Sequence, residues 1–250
     1  MINLKQKLKN NERTIGSWLT IANPIIAEMM AEQFDWLVID MEHSAITLSE
    51  CQDLVRLIEA KDCVPLVRVS ENNTNLIKRV LDTGAWGIIV PMVNSKDDAL
   101  KALSATHYPP KGTRGVGLAR AQNYGFDFDS YKEWLEKEVV VIAQIEHINA
   151  VDNIKDILQT DIDGIIVGPY DISASLHAPG EFCTFEFKSI LRKIVAITQK
   201  FNKSLGMHII PPYASELKKY PEYNFLALSL DTLFIGKKIE DELNETNKGI

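Results

Sequence analysis

The sequence predicts a single (β/α)₈ barrel, the TIM-barrel fold, extending over residues 1–250. Short apolar runs rich in β-branched residues alternate with longer stretches of helical period, and eight such runs can be counted. Strands that alternate with helices form βαβ units in a parallel sheet, and eight of them close into a barrel. An open, doubly wound sheet is the alternative, but the first run is not followed by a Gly-x-Gly-x-x-Gly motif.

The eight predicted strands are apolar over most of their length, which is typical of parallel strands covered on both faces. They are Thr14–Ile21, Trp36–Asp40, Val64–Val69, Gly87–Pro91, Val139–Ile145, Asp163–Val167, Ser204–Ile210 and Phe225–Leu228. The stretch from Thr47 opens with Thr and Ser near a Glu and continues with apolar residues at helical spacing. The predicted helices are Thr47–Ala60, Asn72–Asp82, Lys96–Leu103, Ala150–Leu158 and Phe187–Phe201.

The longest interruption of this alternation runs from residue 107 to about residue 138, between the fourth and fifth strands. It opens with Tyr-Pro-Pro-Lys-Gly-Thr-Arg-Gly-Val-Gly and is longer than a connection requires. Long ordered loops in compact domains tend to be functional. Trp134 and Leu135 indicate a helix that packs back, so we predict a lid or an interface element within one domain.

The charge and the composition exclude several classes of protein. The net charge of −7 comes from 34 acidic and 27 basic residues scattered along the chain, whereas nucleic-acid binding needs a basic patch. No apolar run approaches the roughly 20 residues of a membrane-spanning helix, and the polar N-terminus lacks the apolar core of a secretory signal. The three cysteines lack metal-ligand spacing. We expect a cytoplasmic protein without nucleic-acid or membrane partners.

Polar side chains follow several predicted strands at the carboxyl end, where a TIM barrel places its chemistry. They are Asp40-Met41-Glu42-His43 after the second strand, Arg68 in the third, Gln144 and Glu146 in the fifth, and Gly168-Pro169-Tyr170-Asp171 after the sixth. A single acid there could instead cap a helix, and His43 alone could be a surface histidine. Arg68, embedded between two valines, has to be paired or to bind an anion. The convergence of acids, one Arg and one His favours a catalytic rim.

Seven short stretches of the sequence, in order, carry a resemblance to a known family. They are Asp40-Met41-Glu42-His43-Ser44, Val67-Arg68-Val69, Leu81-Asp82-Thr83-Gly84-Ala85, Val90-Pro91-Met92-Val93, Gly112-Thr113-Arg114-Gly115-Val116-Gly117, Gln144-Ile145-Glu146 and Gly168-Pro169-Tyr170-Asp171-Ile172-Ser173. The chain resembles the HpcH/HpaI aldolase family from about Gly16 to Gly236. These are metal-dependent pyruvate aldolases acting on 2-keto-3-deoxy sugar acids and 4-hydroxy-2-oxo diacids. The resemblance implies a barrel of the phosphoenolpyruvate/pyruvate type and a class II aldolase, which is a carbon–carbon lyase.

The resemblance also implies a role for each rim residue. Glu146 and Asp171 would ligate a divalent metal, Mg²⁺, Mn²⁺ or Co²⁺, since carboxylates suit such ions and leave positions open for pyruvate. Arg68 would bind the pyruvate carboxylate through its fork of donors, and His43, paired with Asp82, would handle protons. The substrate-binding residues would be Arg68, Gln144, Gly168, Pro169, Tyr170 and Asp171. The enolate of pyruvate would attack an aldehyde, and cleavage is the reverse reaction.

Three positions keep two interpretations each. His208, in the seventh strand, either touches the substrate or is structural, because the family usually has a smaller, glycine-rich pattern there. Arg114 and Arg120 either bind a distal carboxylate or phosphate of the substrate or make subunit contacts.

Family members are commonly hexamers built from dimers that exchange a C-terminal helix, so the resemblance implies a homo-oligomer. The stretch Lys237–Ile250 offers little apolar surface to anchor such a helix.

Three other functions fit parts of the sequence. A Schiff-base aldolase needs a buried lysine on a strand, and none of the eight predicted strands contains a lysine. A citrate-lyase-like enzyme acting on a CoA thioester would use the same enolate chemistry, but the sequence shows no obvious basic site for the CoA phosphates. A catalytically inactive barrel that serves as a binding protein is disfavoured, because the expected metal and carboxylate-binding residues are all present.

Overall fold

A computed structural model describes residues 1–210 and 218–248, and eight parallel strands close into a barrel in sequence order. Each strand pairs with the next, and the eighth pairs with the first to complete the ring. The strands are β1 Thr14–Leu19, β2 Trp36–Asp40, β3 Val64–Arg68, β4 Gly87–Val90, β5 Val140–Ile145, β6 Gly164–Val167, β7 Ser204–Ile209 and β8 Phe225–Leu230. The predicted (β/α)₈ barrel is therefore confirmed.

Helices cover the outside of the barrel, and a short helix precedes the first strand. They are α1 Leu4–Lys9, α2 Pro24–Ala31, α3 Leu48–Ala60, α4 Thr74–Asp82, α5 Lys96–Thr106, α6 Phe128–Glu138, α7 Ile148–Asp152, α8 Ile154–Leu158, α9 Pro169–Ser175, α10 Phe185–Lys200 and α11 Asp231–Lys248, with a 3₁₀ segment at Arg120–Gly125. A reciprocal cap fixes the start of α3, because Thr47 and Glu50 each accept the backbone amide of the other. None of the helices in the described part of the chain is long and apolar enough to span a membrane.

Aromatic packing fills the interior of the barrel at its amino-terminal end. The rings of Trp36 and Phe225 stack with centroids 4.0 Å apart. Leu4 and Leu8 of α1 belong to the same buried cluster and close this end. Gly16 in β1 makes room for the indole, because a Cβ there would collide with the Trp36 ring. Side chains thus fill the barrel interior at the amino-terminal end, and a cavity can form only at the carboxyl end.

Because side chains alternate between the two faces of each strand, several polar side chains point into the barrel interior near its carboxyl end. In β3, Leu66 belongs to the inner cluster, whereas Val67 packs in the outer core between strands and helices. Arg68, two residues after Leu66, therefore faces inward. Three residues of other strands reach the same level, namely Trp18 of β1, Gln144 of β5 and His208 of β7. The carboxyl end of the barrel interior is consequently polar.

The long insertion between β4 and β5 packs against the amino-terminal end of the barrel. Arg114 is fully buried there and donates to Asp82 at the end of α4 (2.7 Å) and to the Tyr131 hydroxyl (2.9 Å). Arg120 pairs with Glu59, close to the end of α3. The insertion therefore does not cover the carboxyl end of its own barrel, because these contacts hold it at the opposite end. A role as an interface element stays a prediction.

The same contacts correct one interpretation of Arg114 and Arg120. Both guanidinium groups bond to residues of their own chain, at the end of the barrel away from the polar rim. Neither can reach a substrate held at the rim of the same chain. Within one chain both residues anchor the insertion, and the alternative that they also make subunit contacts stays a prediction.

Replacing Arg114 with Met should destabilise the fold. The substitution leaves the Asp82 carboxylate without its cation, and loss of one partner of a buried ion pair costs about 3 kcal/mol, less where one partner is partly exposed. Urea unfolding followed by circular dichroism measures the change. Arg192→Met, on the exposed side of α10, is the control. Equal stability of the two variants would contradict the anchoring role of Arg114.

Candidate active site

Asp40 and Arg68 form an ion pair at the carboxyl ends of the neighbouring strands β2 and β3. Arg68 donates from Nε to Asp40 Oδ1 (2.9 Å) and from Nη2 to Oδ2 (2.6 Å), a bidentate arrangement. The two residues stand opposite each other in the strand register, so the sheet itself sets this geometry. The Asp40 carboxylate also accepts the backbone amides of Glu42 and His43, which fixes the turn that leaves β2.

A chain of hydrogen bonds continues from this pair across the barrel. Arg68 Nη1 donates to Gln144 Oε1 (3.5 Å), and Gln144 Nε2 donates to Glu146 Oε2. The other oxygen of Glu146 accepts the backbone amide of Met92, which follows β4. Glu146 is buried, and two donors therefore hold its carboxylate in one orientation. The structure thus brings together three of the residues that the sequence places at the rim.

Gly168 separates the two carboxylates that the sequence predicts as metal ligands. A Cβ at this glycine would lie 3.5 Å from Glu146 Oε2 and 3.6 Å from Asp171 Oδ2, so both oxygens border the same space. A cavity of about 70 Å³, hereafter the chamber, opens beside it. All six predicted substrate-binding residues line the chamber, namely Arg68, Gln144, Gly168, Pro169, Tyr170 and Asp171, together with Trp18, Ile166, Val167 and His208.

Glu42 adds a further carboxyl group at the edge of the chamber. Its Oε2 lies 3.3 Å from Arg68 Nη1 and has no hydrogen-bond partner within residues 1–210 and 218–248. Burial raises the pKa of Glu42 to about 7; Arg68 opposes this shift, and the charges of Glu146, Asp40 and Asp171 add to it. Burial also raises the pKa of Glu146. Four carboxyl groups thus surround one guanidinium group, an arrangement that attracts a cation.

His43 and Asp82, the predicted proton-handling pair, do not meet within one chain. His43 follows β2 at the carboxyl end, where its side chain is 66% exposed and its Nε2 lies 3.7 Å from Glu42 Oε2. Asp82 ends α4, and the helix after a barrel strand ends at the amino-terminal side, where Arg114 binds this carboxylate. A single chain therefore does not bring the two residues together, because they lie at opposite ends of the barrel, and their pairing stays a prediction.

His208 forms part of the chamber wall. Its ring packs against the indole of Trp18 with centroids 5.5 Å apart, and its Nε2 lies 3.0 Å from the carbonyl oxygen of Ser229. Burial lowers the pKa of His208 to about 4; the bond to Ser229 opposes this shift, and the charge of Arg68 adds to it. The structure therefore places an uncharged imidazole beside the predicted substrate-binding residues at neutral pH.

Sequence reasoning missed Trp18 and the partner role of Asp40. Arg68 lies over the Trp18 indole, with Cζ 4.4 Å from the ring centroid, so the indole covers one face of the guanidinium group. Strand alternation could have found Trp18, because it stands two positions after the inward-facing Gly16 near the end of β1. The register of β2 with β3, which opposes Asp40 to Arg68, has no comparable signal in the sequence.

The donor atoms beside Gly168 fit a hard divalent cation. Glu146 and Asp171 supply carboxylate oxygens, which Mg²⁺ and Mn²⁺ prefer. In the part of the chain that the structure describes, no three His, Cys, Asp or Glu side chains are arranged to hold a metal ion by themselves. Two carboxylates around one glycine suit an ion that takes its other ligands from water and substrate. Glu42 Oε2, which accepts no hydrogen bond from the described residues, lies nearby.

Polar side chains gathered at the carboxyl end of a parallel barrel are the arrangement of a (β/α)₈ enzyme. The family model described as HpcH/HpaI aldolase/citrate lyase matches residues 14–209, a segment that contains every chamber residue. The chain belongs to the HpcH/HpaI aldolase/citrate lyase family. This result confirms the predicted family and the predicted enzyme class, a carbon–carbon lyase of the aldolase type.

Individual relatives agree with this assignment. The chain is 32% identical over 243 residues to a 2-keto-3-deoxy-L-rhamnonate aldolase of Escherichia coli O17:K52:H18, covering 96% of this chain and 91% of that protein. A solved HpcH/HpaI aldolase/citrate lyase family protein from Burkholderia cenocepacia J2315 has a TM-score of 0.93 and 30% identity, with 99% and 100% coverage. The solved citrate synthase SbnG has a TM-score of 0.87 and 28% identity, covering 98% of each chain.

The low pKa of His208 predicts a defined effect of pH on stability. Above pH 6.5 the histidine is neutral whether the chain is folded or unfolded, so its protonation contributes nothing. As the pH falls from 6.5 towards 4, only the unfolded chain takes up the proton, and stability is lost. Between pH 6.5 and 4.5 the loss from this residue should be about 2 kcal/mol.

Urea unfolding at a series of pH values measures this effect as a difference between variants. His208→Leu should lose less stability than the unsubstituted protein over that interval, because it lacks the group that the unfolded chain protonates. His177→Asn removes a histidine outside the chamber and is the control. The same pH dependence in His208→Leu and in the unsubstituted protein would contradict a neutral, buried His208.

Proposed function

We propose that this protein is a divalent-metal-dependent class II aldolase that makes or cleaves a carbon–carbon bond between pyruvate and an aldehyde. The observation that carries the proposal is the chamber, where Glu146 and Asp171 border one space with Arg68 beside it. The relative from Escherichia coli is a 2-keto-3-deoxy-L-rhamnonate aldolase, which supports a 2-keto-3-deoxy acid or a 4-hydroxy-2-oxo acid as the compound made or cleaved.

Glu146 and Asp171 would hold the ion, Mg²⁺, Mn²⁺ or Co²⁺. When bound, the ion supplies Lewis-acid stabilisation of the negative charge that develops on pyruvate. Gln144 and the Met92 amide already hold the Glu146 carboxylate, so this side chain loses little freedom when it binds a cation. The two donors thus give Glu146 the fixed orientation that a ligand needs.

Arg68 binds the carboxylate of the 2-oxo acid through the edge of its guanidinium that Asp40 leaves free. Asp40 takes Nε and one hydrogen of Nη2, and Gln144 takes one hydrogen of Nη1, so the second hydrogens of Nη1 and Nη2 remain for the substrate. These two donors form a fork that matches a carboxylate. Gln144 borders the same edge through its contact with Nη1, so it lies beside the bound acid.

His43 handles the proton that leaves the methyl carbon of pyruvate. Its Nε2 lies at the rim, exposed to solvent and beside the Glu42 carboxyl group. A neutral imidazole has one ring nitrogen that can accept a proton. The enolate carbon then attacks the aldehyde carbonyl, whose oxygen takes up a proton. Cleavage runs the same steps in reverse.

A pair between His43 and Asp82 requires two copies of the chain, because the residues lie at opposite ends of one barrel. We therefore propose a homo-oligomer in which Asp82 of one chain faces His43 of another. In α11, Ile235, Ile239 and Leu243 recur every four residues and are 44%, 56% and 58% exposed. The exposed apolar surface of this stripe is larger than the polar sequence of Lys237–Ile250 indicated. Such a surface supports association between chains. Gly249 and Ile250 lie outside the described residues.

One observation favours a second candidate function. The likeness to the citrate synthase SbnG, at 28% identity over nearly the whole of both chains, is consistent with related carbon–carbon bond chemistry on another substrate. A citrate-lyase-like enzyme acting on a CoA thioester would share the chamber but would need a cationic site for the CoA phosphates. The carboxylate-rich rim disfavours it, because those charges repel phosphates.

The protein should exchange the methyl protons of pyruvate for deuterium in D₂O only when Mg²⁺, Mn²⁺ or Co²⁺ is present. Glu146→Gln removes one ligand charge and should slow exchange about 100-fold at fixed metal concentration. Arg68→Lys keeps the charge but loses the fork, and should raise the KM for pyruvate about tenfold. Loss of the methyl proton signal in NMR measures both effects without knowledge of the aldehyde.

Glu133→Gln and Arg192→Lys are matched controls for these substitutions, since both side chains lie exposed on the outer helices. They should exchange pyruvate at the unsubstituted rate. Exchange that is undiminished in EDTA, or that is unchanged in Glu146→Gln, would contradict the metal-dependent mechanism. Absence of exchange by folded protein with every metal would rule out pyruvate as the donor.

Mixing two inactive variants tests the proposed pair between chains. His43→Ala and Asp82→Asn should each have low activity alone. After joint unfolding and refolding, a site that combines His43 of one chain with Asp82 of the other is intact, and random mixing should restore about a quarter of full activity. The pyruvate exchange rate measures recovery. No recovery in mixed oligomers confirmed by mass spectrometry would contradict the pairing.

A further inference from the structure

His208 is a polar residue of the chamber wall that the proposed mechanism does not use. It faces into the barrel, because its neighbours Met207 and Ile209 pack in the outer core, on the other side of the sheet. The inner face of a strand end in a barrel enzyme is where side chains meet the substrate. An apolar residue would fill this position without the cost of burying a polar ring. The presence of histidine therefore calls for a polar partner inside the chamber.

The hydrogen bond to Ser229 fixes which nitrogen of His208 is available. A carbonyl oxygen only accepts, so Nε2, which lies 3.0 Å from it, carries the hydrogen. In a neutral imidazole the other nitrogen, Nδ1, is then a hydrogen-bond acceptor. No described residue donates to Nδ1. The chamber wall thus presents an acceptor, held in place by the bond on the opposite side of the ring.

Trp18 supplies the complementary group on the same wall. Its ring packs against that of His208, and its buried Nε1 has no hydrogen-bond partner within residues 1–210 and 218–248. The indole N–H can only donate. An acceptor and a donor on adjacent rings, neither with a hydrogen-bond partner among the described residues, match a hydroxyl group, which donates one hydrogen bond and accepts others. A ketone, a methyl group or a carboxylate would satisfy at most one of them.

We propose that His208 is a specificity-determining residue whose Nδ1 accepts a hydrogen bond from a hydroxyl group of the substrate, with Trp18 Nε1 donating to the same oxygen. The inference rests on the proposed aldolase function and specifies the substrate further. The hydroxyl belongs either to carbon 3 of the 2-oxo acid, as in 3-hydroxypyruvate, or to the acceptor, as in glycolaldehyde. In both cases the chamber favours the hydroxylated compound over its deoxy analogue.

The test compares each hydroxylated compound with its deoxy analogue in His208→Leu and His208→Asn. One arm measures exchange of the carbon-3 protons of 3-hydroxypyruvate and of pyruvate in D₂O with Mg²⁺ or Mn²⁺. The other arm measures addition of pyruvate to glycolaldehyde and to acetaldehyde. Met207→Leu, which changes the neighbouring residue on the outer face, is the matched control.

In one of the two arms, the ratio of kcat/KM for hydroxylated over deoxy substrate should fall about tenfold or more in His208→Leu, because the acceptor is lost. The amide oxygen of His208→Asn can replace Nδ1 and should preserve most of the ratio. The arm that responds identifies which reactant carries the hydroxyl. Met207→Leu should leave both ratios unchanged. If any substitution in β7 disturbed the chamber through the structure alone, Met207→Leu would lower the ratios as well.

Two results would overturn the inference, and they separate it from the proposed function. If His208→Leu still exchanges pyruvate with metal but keeps both ratios, only the role of His208 is wrong. If the unsubstituted, folded protein exchanges neither acid with any metal, the aldolase function fails and the inference fails with it. If His208→Leu does not fold, ¹⁵N NMR of the unsubstituted, histidine-labelled protein tests the inference instead. The Nδ1 resonance of His208 must shift when the hydroxylated compound binds and not when its deoxy analogue binds.

Discussion

The ion pair between Asp40 and Arg68 is the contact on which the geometry of the chamber depends. It joins two adjacent strands in register, and its donors leave only one edge of the guanidinium facing the space beside Gly168. From that edge the hydrogen-bond chain runs through Gln144 to Glu146 and ends on a backbone amide. Rotation of Arg68 would therefore disturb the carboxylate on the opposite side. The orientation of the substrate-binding groups is thus built into the strands before a substrate arrives.

The balance of charge in the chamber explains why these groups are gathered there. Burial is the main cause that raises the pKa of Glu42 and of Glu146; the charges of neighbouring carboxylates add to both shifts, and Arg68 opposes them. The folded protein tolerates this arrangement at a cost in stability, which a divalent cation would relieve. His208 contributes no charge at neutral pH, so it alters which substrate fits without altering the attraction for the cation.

Most of the fold and about half of the site could be predicted from the sequence. Eight apolar runs in alternation with helical stretches were enough for the barrel, because parallel strands buried on both faces require that pattern. Arg68, Gln144 and Glu146 were found because the carboxyl ends of parallel strands converge. The position of Asp82 at the amino-terminal end was not predicted. A sequence motif shows which residues recur in a family, but not at which end of the barrel they lie or to which chain's site they contribute. The end of the barrel against which the insertion packs could not be predicted, because contacts between distant residues, such as Arg114 with Asp82, decide it.

Titration of the protein with Mn²⁺, followed by water-proton relaxation in the absence and presence of pyruvate, tests the central claim most directly. The account predicts a single Mn²⁺ site per chain, whose relaxation signal changes when pyruvate is added. Glu146→Gln and Asp171→Asn should each weaken Mn²⁺ binding about tenfold or more, while Asp156→Asn, exposed on α8, should not. Mn²⁺ binding that neither substitution at the chamber weakens, or on which pyruvate has no effect, would contradict the account.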